Sequence, residues 1–540
     1  MAKNSEKNML MQGTILAAAG IITKIIGFLY RIPMANLLGN AGNGIYSVSF
    51  GIYNIALTLS SCSMPLAVSK SVSARVARDD PGNARRVFSD AVRMALLMGL
   101  FAALVLWLGA DGLEALYHKP GLALPLRVLA PTSFVVALLG TFRGWFQAHG
   151  NMVPTAVSQI LEQIANAVVS VAAAWQLMRI HAADARVDAY GAAGGTLGTL
   201  AGALAGLGLV LFLFFRTRPR RERLTAEPEA HRDIVRQLLL TILPVILSQT
   251  IYQIGYTLDD LVFSNLMAAR GFADMDISAM QGIFNTQYNL MVNLPVSVAT
   301  AMAASAVPSI VTAKVAGTRK ELHRKITAVL KLNMAIAIPS AVGLALLSHA
   351  VLLPFTSLGK MEPVAARLLE TGSSAAVFYA LSTITTAILQ GCDYMKTPVK
   401  HCAVSLAIHV ALVAALVWLT PLGVYALVIG NVTFPLLVSA LNCRSLRRKL
   451  GYRWRIGRTF GVPLVSVAAM GVVTWGSYAL VSPLSRWLGL LLSLILSVAV
   501  YAFLILRLHC FSDSQLRELP MGGRLLRLSK RLEGRAAPRA

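Results

Sequence analysis

The sequence predicts an all-α integral membrane protein with fourteen transmembrane helices, and three observations support this fold class. Of the 540 residues, 56% are hydrophobic and only 14% are charged, whereas soluble domains carry roughly 25% charged residues. The mean hydropathy is +0.64. The apolar residues form long blocks, such as 95–109 and 461–479, instead of the two-residue alternation of a membrane β-strand.

Fourteen spans follow from dividing these blocks into segments of about 20 apolar residues. The first 30 residues begin with a positive charge, as a signal peptide does. Their apolar stretch is long and no small-residue cleavage site follows it, so we expect a retained first span. The predicted spans begin near Leu10, Gly44, Phe88, Ala123, Val153, Ala189, Gln237, Ser278, Ala328, Ala365, Pro398, Leu422, Phe460 and Leu484.

The basic residues predict the orientation of these spans. Of the 49 lysines and arginines, 36 fall in the N-terminus, the tail and alternate loops on one side, and seven fall on the other side. Because cytoplasmic loops are enriched in Lys and Arg, both termini are predicted to be cytoplasmic in a multi-pass cell-membrane protein. A net charge of +25 distributed in this way indicates membrane orientation and argues against nucleic acid as a partner.

An internal repeat organises the first twelve spans. The segment MPLAVSK with Pro65 recurs loosely as VPSIVTAK with Pro308, and FQAHGNMVP with Gln147 recurs as LQGCDYMKTP with Gln390. Both pairs are separated by the same offset, which predicts two parallel six-helix lobes that rock around a central site. The predicted domains are an N-terminal lobe (1–215), a basic cytoplasmic linker (216–236), a C-terminal lobe (237–445), two additional helices (446–508) and a basic tail (509–540). The tail either lies on anionic membrane lipids or is disordered.

A polar stripe in the fifth span is the first candidate site. Residues at helical spacing share one face, which carries Gln159 and Glu162, and Arg143 lies near the end of the preceding span. A membrane-buried carboxylate normally faces a bundle interior or a watery cavity, so we expect Glu162 to line a cavity. The alternative is an interhelical hydrogen-bond seam.

Similar stripes occur in the seventh and eighth spans. The seventh carries Asp260 on its polar face with Asp259 beside it, and the eighth carries several amides that include Asn289. Polar faces on spans that line one cleft indicate a hydrated cavity for a polar cargo.

Three cations within or at the ends of apolar segments indicate the charge of that cargo. Lys24 and Arg31 are seven residues apart on one face of the first span, and Arg143 is the third cation. Such residues are expensive in a membrane unless an anion meets them, and phosphate or pyrophosphate is the natural ligand. Pairing with Glu162, Asp259 or Asp260 is the alternative, as is snorkelling of Arg31 and Arg143 to the headgroups.

Nothing in the sequence predicts an enzyme. It contains neither a GxxxxGK[ST] loop nor HExxH, and no extramembrane segment is long enough for a soluble catalytic domain. The five cysteines lack a metal-ligand spacing, so we expect no cofactor, metal or disulfide. Energy would come from the membrane potential or an ion gradient, with Asp259, Asp260 or Glu162 as the ion site.

Several segments resemble one family of transporters. Three segments are similar to the stage V sporulation protein B and MurJ-type lipid II flippases of the multidrug, oligosaccharidyl-lipid and polysaccharide exporter superfamily: residues 13–74, FRGWFQAHGNMVPTAVSQILEQI and PVILSQTIYQIGYTLDDLV. The resemblance implies fourteen helices in two MATE-like lobes around a V-shaped cavity. The implied cargo is an undecaprenyl-pyrophosphate-linked sugar, most simply the peptidoglycan precursor lipid II.

The chain departs from that family's charge pattern. Lys24 occupies the first cationic position of span one, Gly44 occupies the acidic position of span two, and Leu290 and Asn293 lie near an Arg and a Glu of span eight. Alternatives are export of another lipid-linked polysaccharide unit, a cation-coupled drug antiporter, or a membrane enzyme acting on polyprenyl phosphates. Expected partners are the lipid-linked substrate, membrane lipids, a coupling ion and cell-wall synthesis proteins.

Overall fold

The computed structural model describes residues 2–61, 64–217, 228–315, 319–355, 363–454 and 457–513, with a few residues of the tail. Within these ranges the secondary structure is helical, with short turns and no strand. The all-α prediction is therefore confirmed. Residues 218–227 of the predicted basic linker and most of the tail lie outside the described residues.

The chain divides into two compact units, Met1–Thr286 and Gln287–Ala540. The first contains α1 (Ala2–Ser60), α2 (Met64–Val76), α3 (Pro81–Leu116), α4 (Ala123–Ala148), α5 (Val153–Ile180), α6 (Val187–Thr217), α7 (His231–Ala269) and α8 (Asp274–Gly282). A π-helical segment, Ile283–Tyr288, follows α8. This unit thus takes in α7 and α8, while the predicted lobe boundaries stay a prediction.

The second unit begins within the π-helical segment. It contains α9 (Asn289–Val315), α10 (Arg319–Leu346), α11 (Ser348–Val351), α12 (Pro363–Gly372), α13 (Ala375–Gly391), α14 (Lys396–Leu419), α15 (Val424–Leu450), α16 (Val462–Val481) and α17 (Arg486–Arg507). Helix α10 packs on α9, α13 and α16, and α16 packs on α17.

Ten helices of the described ranges are long and apolar enough to cross a membrane, and eleven if α12 and α13, bent by 46°, form one span. The chain is therefore a multi-pass membrane protein. The count of fourteen spans stays a prediction. Part of the difference lies in α1, whose 59 residues contain a break at Gly39 with φ of 64°. This left-handed conformation suits glycine and separates two helices that were predicted as spans one and two.

Each unit repeats one packing arrangement. In the first unit α2 lies on α4, where Pro65 packs against Gly140 and Gly144, and α5 and α6 form a hairpin. In the second unit α9 lies on α13, and α14 and α15 form the hairpin. The related residues Pro65 and Pro308 lie on α2 and α9, and Gln147 and Gln390 lie near the ends of α4 and α13. The packing therefore supports the predicted repeat.

Helix α7 is anchored to α2 and α3 at its first turns. Arg75 is 7% exposed and forms a two-pronged contact with Glu229, at 3.1 Å (Nε to Oε1) and 2.5 Å (Nη2 to Oε2). The same guanidinium donates to Gln237 at 2.8 Å. On α3, Asp90 contacts the ring of His231 at 2.7 Å. A forked arginine contact of this kind fixes both position and angle.

Candidate functional site

Helix α5 separates a polar face from an apolar face. Its exposed residues include Val157, Leu161, Ile164 and Val168, which form the surface expected to meet lipid. The predicted stripe is buried or half-buried, and it consists of Thr155, Gln159, Glu162, Gln163, Asn166 and Ser170. The polar face is therefore directed toward neighbouring helices.

Helix α6 covers one edge of that polar face through glycines spaced four residues apart. A Cβ added to Gly198 or Gly202 would lie 2.5 Å or less from atoms of α5. Ser170 donates to the carbonyl of Gly195 at 2.8 Å. Small residues at this spacing let two membrane helices approach closely, so this edge is a packing seam.

Arg143 and Glu162 form an ion pair between α4 and α5. Nη2 of Arg143 lies 2.7 Å from Oε2 of Glu162, and its Nε donates to Ser158 at 2.9 Å. The Arg143 side chain is 12% exposed and that of Glu162 is 29% exposed. Of the two alternatives that the sequence left open for this arginine, the structure shows the pairing with a carboxylate.

The packing of α1 on α5 brings Lys24 to the level of the same stripe. Gln12 of α1 accepts from the backbone N–H of Met152 at 2.9 Å, and Gly27 contacts the amide of Gln163. Both helices therefore run in the same direction. With a rise of about 1.5 Å per residue, Lys24 lies near the level of Glu162. Lys24 is exposed and forms no ion pair with any described residue.

The other predicted binding residues are dispersed. Arg31 is exposed, on the same helix as Lys24, and also forms no ion pair within the described ranges. Gln159 is half-buried on the stripe. Asn289 belongs to the second unit, where its Oδ1 accepts from Asn431 at 3.1 Å. Gln159 and Glu162 thus lie on α5, Arg143 reaches Glu162 from α4, and Lys24 lies on α1 near the same level. Asn289 belongs to the other compact unit.

Asp260 is the more deeply buried of the two ion-site candidates, since it is 7% exposed and Asp259 is half-buried. Its Oδ1 accepts from the amide of Asn285 at 3.0 Å and from that of Gln281 at 3.4 Å. Gln281 also donates to the Asp260 backbone carbonyl at 2.9 Å. The carboxylate therefore ties α7 to α8 and the π-helical segment.

A buried lysine accompanies this carboxylate. Lys119, in the connection between α3 and α4, is 1% exposed and donates from Nζ to Oγ of Ser278 at 2.9 Å. Burial lowers the pKa of its ammonium, and the negative charges of Asp260 and Asp274 oppose that shift. Tyr117 in the same connection donates to the carbonyl of Thr257 at 3.3 Å. The α3–α4 connection is thereby fixed to both α7 and α8.

The second half of α1 crosses α8 at two glycines. A Cβ at Gly44 would lie 1.9 Å from the Ser278 carbonyl oxygen, and one at Gly282 would lie 1.9 Å from that of Asn40. Backbone meets backbone here. No acidic side chain could occupy position 44 at this separation, which gives a physical reason for the glycine at the family's acidic position.

Metal-site geometry is not found in the described part of the chain, where no group of three or more His, Cys, Asp or Glu residues is close enough to hold an ion. The described cysteines are reduced thiols: Cys392, Cys402, Cys443 and Cys510.

Comparison with known proteins identifies the family. The model of the polysaccharide biosynthesis protein family matches residues 10–314, and the MatE model matches residues 244–415. The first match covers more than half of the chain. The chain belongs to the polysaccharide biosynthesis protein family.

Two curated relatives from Bacillus subtilis (strain 168) extend this result. The lipid II flippase MurJ is 26% identical over 485 residues, which cover 86% of this chain and 87% of that protein. Stage V sporulation protein B is 24% identical over 542 residues, which cover 96% and 99%. The predicted resemblance to these exporters is confirmed.

Solved structures show the same fold. The lipid II flippase MurJ in an inward closed conformation matches with a TM-score of 0.65 at 13% identity, over 92% of this chain and 99% of that one. An inward-facing multidrug resistance MATE family transporter matches with a TM-score of 0.62 at 16% identity, over 78% and 98%. The MATE-like helical architecture is therefore established.

Sequence reasoning offered Glu162 as an alternative partner of Arg143, but it did not find the contacts of Ser158 and Lys119. Ser158 shares the stripe's face, and its spacing from Glu162 could have indicated a second acceptor for Arg143. Lys119 carried no signal, because an isolated lysine in a short connection is indistinguishable from a solvated one. The sequence likewise did not indicate the contacts of Ser278 and Gly282, since both residues contact segments that are remote in sequence.

Proposed function

We propose that this protein is a flippase that moves an undecaprenyl-pyrophosphate-linked sugar precursor across the cell membrane, and that the precursor is peptidoglycan lipid II. Movement would follow alternating access, from the cytoplasmic to the outer leaflet, with both termini cytoplasmic. The observation that carries the proposal is the difference between two cations that lie near one level of the α5 stripe, Arg143 on α4 and Lys24 on α1. Arg143 is neutralised by Glu162, whereas Lys24, near the same level, has no carboxylate partner among the described residues.

An unneutralised ammonium at a polar helix face favours an anionic cargo. A phosphate or pyrophosphate would supply the missing negative charge, and the amides of Gln159 and Gln163 could donate to its oxygens or to sugar hydroxyls. Family membership and the curated relatives, one of which is named as a lipid II flippase, support a lipid-linked cargo. Arg31, seven residues further on α1, would give secondary attraction.

The same geometry disfavours a cation-coupled drug antiporter. A cationic drug requires an acidic surface, but Glu162 is already paired and Lys24 is positive. We further propose that the protein is a transporter and not an enzyme, because no further acidic ligand among the described residues joins the two adjacent carboxylates of α7, as a metal-dependent phosphatase would require.

The test is binding of undecaprenyl pyrophosphate lipids to purified protein, measured by native mass spectrometry, together with lipid II translocation in proteoliposomes. Lys24→Met should lose most binding while the melting temperature stays unchanged, because the side-chain length is kept and the charge is removed. Lys24→Arg should retain much of the binding. Lys400→Met is the matched control, since it removes a lysine at the start of another helix, and it should bind normally. Unchanged binding in Lys24→Met would exclude this lysine from the site.

Identification of the sugar requires a cellular measurement. Depletion of the protein should cause lipid II to accumulate in the inner leaflet. Accumulation of a different undecaprenyl-linked intermediate would favour export of another polysaccharide unit, an alternative that the family's description keeps open.

A further inference from the structure

An open groove lies between α2 and α7 in the first unit. It has a volume of about 740 Å³ and is lined by Leu66 and Lys70 of α2 and by five residues of α7 between positions 233 and 241. The groove adjoins the anchor of α7, because Gln237 lines the groove and also accepts a hydrogen bond from Arg75.

The helices α2 and α7 run in opposite directions along this groove. Arg75, at the end of α2, contacts Gln237 near the start of α7, whereas Gly51, which precedes α2, accepts from Thr257 further along α7. Arg75 belongs to the predicted cytoplasmic side. Earlier residues of α2 and later residues of α7 therefore lie deeper in the predicted membrane.

Charged and apolar side chains occupy two levels of the groove. Lys70 and Arg236 line the level nearer the predicted cytoplasmic side. Leu66 lies four residues before Lys70, and Leu240 lies four residues after Arg236, so both leucines are deeper by about 6 Å at the rise of an α-helix. All four side chains are exposed. Cations above an apolar surface match the layers of a phospholipid, whose phosphate lies above its acyl chains.

The charge of the groove indicates a singly negative ligand. Neither Lys70 nor Arg236 forms an ion pair within the part of the chain that the structure describes. Asp233 is the acidic lining residue, so two cations and one carboxylate leave one net positive charge. Gln237 accepts from Arg75 through Oε1, which leaves its amide N–H groups for a ligand oxygen. A phosphodiester with one negative charge balances this site, whereas a pyrophosphate would exceed it.

We propose that this groove binds an anionic phospholipid of the cytoplasmic leaflet. The phosphodiester lies between Lys70 and Arg236, and an acyl chain lies along Leu66 and Leu240. Basic pockets between membrane helices on the cytoplasmic side bind lipid headgroups through this combination of charge and depth. Because the lipid contacts both helices, it adds to the anchor that holds α7 against α2. This site is distinct from Lys24 and does not depend on the proposed cargo.

The test compares two lipids added to the purified full-length chain in detergent. Phosphatidylglycerol carries one negative charge, and phosphatidylcholine with the same acyl chains carries no net charge. Phosphatidylglycerol should raise the melting temperature by about 2 °C or more over phosphatidylcholine, because a ligand that binds only the folded state stabilises it. Lys70→Met combined with Arg236→Met should abolish this difference. The same double variant should bind phosphatidylglycerol about tenfold more weakly in native mass spectrometry.

A matched control removes two cations outside the groove. Arg78 and Arg85 are exposed and belong to the same predicted side of the first unit. Arg78→Met combined with Arg85→Met changes the net charge by the same amount and should keep the full response to phosphatidylglycerol. Asp233→Asn has the opposite sign, since it removes the negative charge of the groove, and should strengthen binding by about twofold.

Three outcomes would overturn the proposal. The first is a response that persists in the groove variant. The second is an equal loss in the groove and control variants, which would mean general attraction to a basic surface. The third is a shift by inorganic phosphate as large as that by phosphatidylglycerol, because phosphate has no chain for Leu66 and Leu240. These measurements use no cargo, so their failure leaves the Lys24 proposal standing, and a failed Lys24 test leaves this one standing.

Discussion

The guanidinium of Arg143 lies 2.7 Å from the carboxylate of Glu162 and joins α4 to α5 inside the first unit. The pair sits on the polar face of α5 next to Gly206, where a Cβ would lie 3.5 Å from Nη2 of Arg143. Glu162 thus holds the Arg143 guanidinium in place as part of the packing of α4 on α5. For the proposed anionic cargo its effect would be indirect, because the ion pair neutralises Arg143.

The first prediction separates the pair's structural role from transport. Arg143→Met should destabilise the protein by about 1–3 kcal/mol, because it leaves the Glu162 carboxylate partly buried without a partner. Adding Glu162→Gln should recover most of that loss. The four melting temperatures of this cycle measure the coupling. If Arg143→Met lowered the stability of the natural chain and of the Glu162→Gln variant by the same amount, the pair would contribute no net stability.

The second prediction concerns the crossing of α1 and α8. Gly44→Ala should destabilise the protein by about 1–3 kcal/mol, because the new methyl group would meet the Ser278 carbonyl. Gly20→Ala is the control in the same helix, where a Cβ has no neighbour within 4 Å. It should be neutral or stabilising by up to about 1 kcal/mol. Thermal unfolding of both variants provides the measurement, and equal stability would contradict the close crossing.

The third prediction concerns the anchor of α7. Arg75→Lys keeps the charge but cannot form the two-pronged contact with Glu229, so hydrogen exchange of amides 231–240 should accelerate. The expected loss of stability is about 1–2 kcal/mol, since Glu229 is partly solvated. Arg85→Lys changes an exposed arginine of α3 and should leave exchange unaltered. Slow exchange in both variants would show that α7 is held without this contact.

The fourth prediction concerns orientation and follows from the distribution of Lys and Arg. In a cysteine-free background, a cysteine placed at residue 222 of the basic linker should resist a membrane-impermeant thiol reagent added to intact cells. A cysteine at residue 360 should react. The reverse labelling pattern would place the termini outside, and both cysteines should react after lysis.

The sequence by itself determined the helical membrane fold, the repeat and the polar face of α5. These properties depend on apolar length and on the 3.6-residue period, which are local and survive any arrangement of the helices. The face predicted for α5 is the face that the structure buries, because lipid accepts Val157 and Leu161 but not Glu162.

Only the tertiary structure decided which charges are neutralised. Arg143 and Glu162 are 19 residues apart, and Lys119 and Ser278 are 159 apart, so no local pattern links either pair. The sequence has a glycine at position 44, where the family has an acidic residue. The structure shows that this glycine lies against the backbone of Ser278. Whether a buried ion is free or paired depends on distances of a few ångströms between remote helices, because electrostatic and hydrogen-bond energies fall off over that range in a medium of low dielectric constant.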